Sequence, residues 1–175
     1  MASKIKVDQI QTADGTGTIA LQNQLSGMTS ASMPTGSVIQ VVQGGTTSTI
    51  TTASTTFATI MSQAITITSG NKVLVSLTMP VAANSASSPG HLQVLFSGSS
   101  SGTLIADVMV FDEHHASSGG FYSVQSLHAP GSGTSFTYTV QGKRGGGSAS
   151  VYWNSPELGG ATASRASITL MEIAG

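Results

Sequence analysis

The stretch that most limits what this chain can become is Lys72-Val73-Leu74-Val75-Ser76-Leu77-Thr78-Met79. Val73, Val75, Leu77 and Met79 fall on one side of an extended chain, and Lys72, Leu74, Ser76 and Thr78 on the other. A period of two sustained over such a run is that of a strand with one face on a core. The triplet Ser69-Gly70-Asn71 supplies a turn before it. Pro80 has no N–H for a ladder, which predicts that the strand ends there, at a sheet edge or outside the ladder.

The same pattern recurs along the chain, at 38–42 up to Gly44-Gly45, then at 46–52, 56–68, 92–96, 103–111, 120–127, 135–141, 148–153 and 165–173. Gly/Ser/Pro-rich turns separate these runs, as at 97–102, 130–133 and 145–147. No window holds a helical period. Evenly spaced short strands with such turns predict an all-β, antiparallel β-sandwich of jelly-roll type over 38–175, with about eight to ten strands. In the last run Ala166, Ile168 and Leu170 alternate with Ser167, Thr169 and Met171, and Glu172 and Ile173 close it; losing this strand should unfold the domain. Eight of the nine aromatic residues lie between Phe96 and Trp153, which predicts that the later half carries the main core.

Composition narrows the class of function. Charged residues make up 7% and hydrophobic residues 39%, against ~25% charged in an ordinary globular domain. Low charge with many Ser, Thr and Gly is compatible with disorder, but the abundant Val, Ile and Thr in alternating runs argue for a fold. A net charge of −1 leaves little self-repulsion and favours association, as in an assembly subunit. Cysteine is absent, so neither a disulfide nor a thiolate metal site is available. The first residues lead into no apolar segment of signal-peptide kind, and no run reaches the length of a membrane helix.

Residues 1–23 differ from the rest. Lys4-Ile5-Lys6-Val7-Asp8-Gln9-Ile10 places Ile5 and Val7 opposite Lys4, Lys6, Asp8 and Ile10; Ile19 and Leu21 repeat the alternation beyond Asp14-Gly15-Thr16-Gly17. This is too little apolar surface for a core, and a lone hairpin is marginal in water. The segment is expected to be an attachment arm that gains stability against something else. Residues 24–37 are small, polar and aperiodic, a linker closed by Pro34, which forces Met33 to be extended.

The arm, with the lead-in Met33-Pro34-Thr35-Gly36-Ser37-Val38-Ile39-Gln40-Val41-Val42, resembles the N-termini of tail-fibre and other virion-surface proteins of tailed bacteriophages, especially those of marine bacteria and cyanobacteria. The likeness covers roughly the first quarter of the chain. It implies an N-terminus docked on other phage tail or capsid proteins, a trimeric outward head, and residence in the virion after assembly in the host cytoplasm. The expected readings are a short tail fibre, a capsid decoration protein whose arm staples neighbouring subunits, and a carbohydrate-binding module.

Several clusters carry possible chemistry. Asp112-Glu113-His114-His115 holds carboxylates and imidazoles that suit a metal ion, but neighbours in a strand point oppositely and a solvated loop is the plainer expectation. In a trimer, His114 or His115 would gather round the axis. Tyr152-Trp153-Asn154 offers a platform for a host-surface glycan through Trp153, weighed against a core position for one of the two aromatics. Lys143-Arg144-Gly145-Gly146-Gly147 is expected to be a hairpin tip, because two cations make a poor footprint for nucleic acid. No Gly-x-Ser-x-Gly elbow occurs, and the length and absence of repeats do not suit a β-helical polysaccharide depolymerase. The sequence thus predicts no enzyme, no cofactor, no resident metal, no nucleic acid and no membrane insertion.

Overall fold

The computed structural model describes residue 14 and residues 33–83, 89–97, 103–110, 119–155 and 164–175. The arm residues Lys4, Ile5, Lys6, Val7, Asp8, Ile10, Ile19 and Leu21, and also His114 and His115, lie outside the described residues. The chain divides between Met33 and Pro34, and the architecture below is that of the unit beginning at Pro34.

Ten strands follow: β1 (Val38–Thr46), β2 (Ile50–Thr52), β3 (Ala58–Thr66), β4 (Lys72–Ala83), β5 (Gly90–Ser97), β6 (Thr103–Val110), β7 (Gly119–His128), β8 (Ser135–Arg144), β9 (Val151–Trp153) and β10 (Ala166–Ile173). One sheet runs β1-β10-β4-β9-β2, with β7 on the other side of β4; the second runs β3-β8-β5-β6. Every pairing is antiparallel. With the three-residue strands β2 and β9 set aside, the eight long strands are ordered first-eighth-third-sixth and second-seventh-fourth-fifth. That order is a double Greek key, the jelly-roll form of the β-sandwich.

The chain changes sheet at almost every turn, and this decides where the core comes from. Ile60, Met61 and Ile65 of β3 and Val73, Val75, Leu77 and Met79 of β4 are as buried as Phe96, Phe136, Tyr138, Trp153, Ile168 and Leu170. The expectation that the later half dominates is therefore corrected: aromatic residues are concentrated there, but the aliphatic half of the core is not.

Three boundaries also move. β1 does not stop at Gly44-Gly45 but continues to Thr46. The glycines serve close approach rather than a turn: a Cβ at Gly44 would collide with the Gln63 side chain of β3, and one at Gly45 with the Ala166 carbonyl. The run 46–52 yields only Ile50–Thr52 as strand. Finally, β4 passes straight through Pro80 to Ala83.

Pro80 is tolerated inside a central strand because of where its missing donor points. On one side β4 pairs continuously with β7, including Pro80 opposite Phe121. On the other, β10 covers Lys72 to Thr78 and β9 covers Val81 to Ala83. A residue's N–H and C=O face the same neighbour in an antiparallel ladder, and the Pro80 carbonyl accepts from Asn154 N–H at 2.7 Å on the β9 side. The absent N–H therefore faces the gap between β10 and β9, where no ladder bond is lost.

The last four linker residues belong to the body. Ser37 N–H donates to the Pro34 carbonyl at 3.0 Å around Gly36, whose φ is 87°, a turn that requires positive φ at its third residue. Gly36 N–H then donates to Ala174 O and Ala174 N–H to Ser37 O, each at 2.9 Å. The lead-in is thereby tied to the end of β10.

Candidate functional surface

Trp153 is the sequence-predicted contact residue whose position is described, and it is not on the surface. Alternation along β9 turns it inward, fully buried, and leaves Tyr152 half-exposed. Its indole N–H donates to Thr52 Oγ1 at 2.9 Å, which satisfies the one polar atom of a large buried ring. The ring lies over Gly142 of β8, where an added Cβ would sit 2.5 Å from it. The glycan platform considered at Trp153 is corrected on this ground, since the ring is covered by the core, and the core position weighed against it is the one observed.

Asn154 likewise turns out to be structural. It is fully buried with φ 63°, a left-handed conformation that Asn accepts better than most residues. Its amide Nδ2 donates to the carbonyls of Thr46 (3.0 Å) and Ser48 (3.2 Å), and its Oδ1 accepts from Ala166 N–H at 2.6 Å. The side chain thus ties the end of β1 to the start of β10, and the residue's own N–H, bonded to the Pro80 carbonyl, holds the end of β9 to β4.

Lys143 and Arg144 are not in a hairpin tip; they are the last residues of β8. Lys143 Nζ stands 4.4 Å from the centroid of Phe57, a cation–π contact that spreads the charge over a ring. Arg144 N–H is bonded to Ser54 O at 2.9 Å. The expectation erred because the strand outlasts its apolar alternation by three residues.

A groove of about 450 Å³ opens beside the end of β1 and the start of β10. Gly44, Gly45, Thr46, Thr47, Arg165 and Ser167 are among the residues that line it. Hydroxyls, bare backbone and one cation can hydrogen-bond a polyhydroxylated or carboxylate-bearing group. The two adjacent glycines were the available sequence signal, but they read as a strand stop.

Three titratable groups whose roles were missed in sequence shape the interior. Glu172 takes the inward slot after Ala166, Ile168 and Leu170 and is only 2% exposed. Burial pushes its carboxyl up, yet the hydrogen bonds pull harder and the net shift is downward. Oε1 accepts from Thr68 N–H (2.7 Å) and Asn71 Nδ2 (2.6 Å), and Oε2 from Gln40 Nε2 (2.6 Å). His128 of β7 meets Tyr138 Oη at 3.0 Å through Nδ1 and packs edge-on against Phe96. Burial lowers the His128 pKa and raises that of Tyr138. Among the described residues, no three His, Cys, Asp or Glu gather as a metal site, and no helix is long and apolar enough to cross a membrane.

Fold and surface together define an all-β jelly-roll module with a polar groove at one rim. No family model matches the chain, and no curated protein does. Among the solved structures with parts similar to it are two of one virus. One is the infectious bursal disease virus VP2 subviral particle, at 11% identity and a TM-score of 0.43 over 78% of this chain and 38% of that one. The other is the structure of the Gx strain of the same virus, at 12% identity and a TM-score of 0.42 over 78% and 36%. The chain spans well under half the length of either.

Proposed function

We propose that the chain is a structural virion protein, a short trimeric tail fibre of a tailed bacteriophage. Residues 1–23 dock it to tail proteins, and the jelly roll forms an outward head that meets the host surface. The observation that carries this reading is the resemblance of 4–10, 14–19 and 33–42 to phage virion-surface proteins, joined to what its last portion does in the fold. Pro34–Ser37 is the turn bonded to Ala174, and Val38 begins the strand laid along β10. Tension arriving through Met33 would meet the Gly36–Ala174 and Ala174–Ser37 bonds first and then the whole β1–β10 ladder. An attachment arm needs such an anchorage.

Under this reading no catalytic step, cofactor or resident metal is assigned to the protein. The groove at Arg165 supplies the polar surface a host glycan would use. Deleting residues 1–33 is expected to yield protein that retains the β-rich circular dichroism of the full chain but is absent from purified particles. Labelled protein should image at the tail, in the copy number of tail components. Labelling spread over the capsid shell, with adsorption to cells unchanged when the protein is missing, would replace the fibre by the decoration protein that staples capsid subunits.

A further inference from the structure

The two outer faces of the sandwich are unlike. Val38, Val41, Phe121 and Leu127 are the exposed large hydrophobic residues among those described, 49% to 65% accessible. All four lie on the outer face of the sheet that contains β1, β10, β4 and β7. Register aligns two of them into a band: Val41 stands opposite Met171, Met171 opposite Leu74, and Leu74 opposite Leu127, while Val38 stands opposite Ile173 in the row to one side and Phe121 opposite Pro80 farther along the same face. The next row is amide and hydroxyl, with Gln43 Nε2 bonded to Thr169 Oγ1 at 3.2 Å and Gln125 Nε2 to Ser76 Oγ at 3.4 Å. On the other sheet the outward residues of β3 and β8 are small, polar or charged, among them Ser62, Ala64, Thr137, Thr139, Gln141 and Lys143, beside a half-covered Leu95 on β5.

The geometry points to this banded face as the surface on which a second copy of the chain packs. The inference deepens the reading of the protein as a self-assembling subunit and rests on it. Charge favours a copy as the occupant: Lys72 is the lone ionic side chain turned outward from β1, β4, β7 and β10 among the described residues. Copies that turn this face toward a shared three-fold axis therefore meet with little repulsion, whereas a charged partner would find nothing to pair with. Size agrees. Four strands of eight to twelve residues, at ~4.8 Å spacing and ~3.3 Å per residue, cover about 600 Å², so two copies contributing this face would bury about 1,200 Å², the lower end of the ~1,200–2,000 Å² of a stable interface. An apolar band crossing four strands, rimmed by groups that hydrogen-bond laterally, is also the composition of an interface centre.

The test uses the full chain in sedimentation velocity at micromolar concentration, comparing wild type with Val41→Lys, Leu127→Glu and, on the other sheet, Ser62→Glu. The three sites are exposed, and circular dichroism and thermal unfolding check each fold. Because the chain has no cysteine, Leu127→Cys and Ser62→Cys add a second readout by alkylation rate. The expected result is an assembled wild type and Ser62→Glu, monomeric Val41→Lys and Leu127→Glu, and a thiol at 127 protected relative to one at 62. An oligomer that survives both face variants, or dissolves only with Ser62→Glu, overturns this face while leaving self-assembly intact. A wild type that stays monomeric overturns self-assembly itself. If the face variants remain assembled yet fail to join particles, the occupant is another virion protein and the second copy is ruled out.

Discussion

Glu172 shows how much one side chain can hold without a counter-ion. Three donors from β1 and the β3–β4 turn converge on its carboxylate. Glu172→Gln would turn an N–H₂ toward donors, leaving at least one of them unsatisfied, a loss of about 2 kcal/mol measurable by urea unfolding at neutral pH. Its depressed pKa means that the unfolded chain binds the proton first. The stabilisation is therefore complete above the ordinary carboxylate pKa and is lost as pH falls through the folded value. His128 adds an earlier loss of the same sign: its lowered pKa lets the unfolded imidazole protonate first as pH drops below the usual histidine range. Stability followed against pH should fall in two stages, with Glu172→Gln removing the more acidic one. Gly142 is the converse case, where the absence of a side chain matters. Gly142→Ala places a methyl against Trp153 and 2.7 Å from Ile60 Cδ1, and overpacking of this kind costs about 1–3 kcal/mol. The loss should appear in chemical denaturation together with a change in Trp153 fluorescence.

Among the elements, β4 and β10 organise the rest. β10 lies between β1 and β4, joining the segment that follows the arm to the middle of the larger sheet. Where β10 leaves off, β9 takes its place beside β4, and Asn154 makes the exchange possible. Asn154→Ala removes its side-chain bonds and forces a Cβ residue to hold φ 63°; a loss of about 3 kcal/mol or more is expected. Asn154→Gly removes the same bonds but relaxes the backbone, so it should cost about 1 kcal/mol less. Equal losses for the two variants would mean that the backbone conformation carries no strain. The alternation of residues 72–79 and 165–173 made these strands legible, including which face is inward. Their neighbours were not legible, since pairing partners in a double Greek key lie far apart in sequence.

For the whole molecule, that distance has a kinetic consequence. β1 and β10 pair across nearly the full length of the unit, Val38 with Ile173, and loop closure must precede the contacts that reward it. Refolding from urea is expected in milliseconds to seconds, the range of all-β sandwiches, as one cooperative phase. Microsecond refolding would contradict a core assembled from both ends of the chain. Which of Tyr152 and Trp153 faces inward was not legible for a related reason. An aromatic in a strand reads as inward or outward only once the sheet's two faces are known, and β9 is too short for its own alternation to tell.

Period-two alternation, glycine-rich turns and a charge-poor composition determined an all-β sandwich, because hydrophobic burial on one side of an extended chain depends on local order alone. Only the tertiary structure decided the strand order, the passage of β4 through Pro80, the inward Glu172, and the gathering of Val41, Met171, Leu74 and Leu127 into one band. Each of these depends on which distant segment lies alongside. In a sandwich, that choice is made by register between strands remote in the chain and leaves no short-range mark.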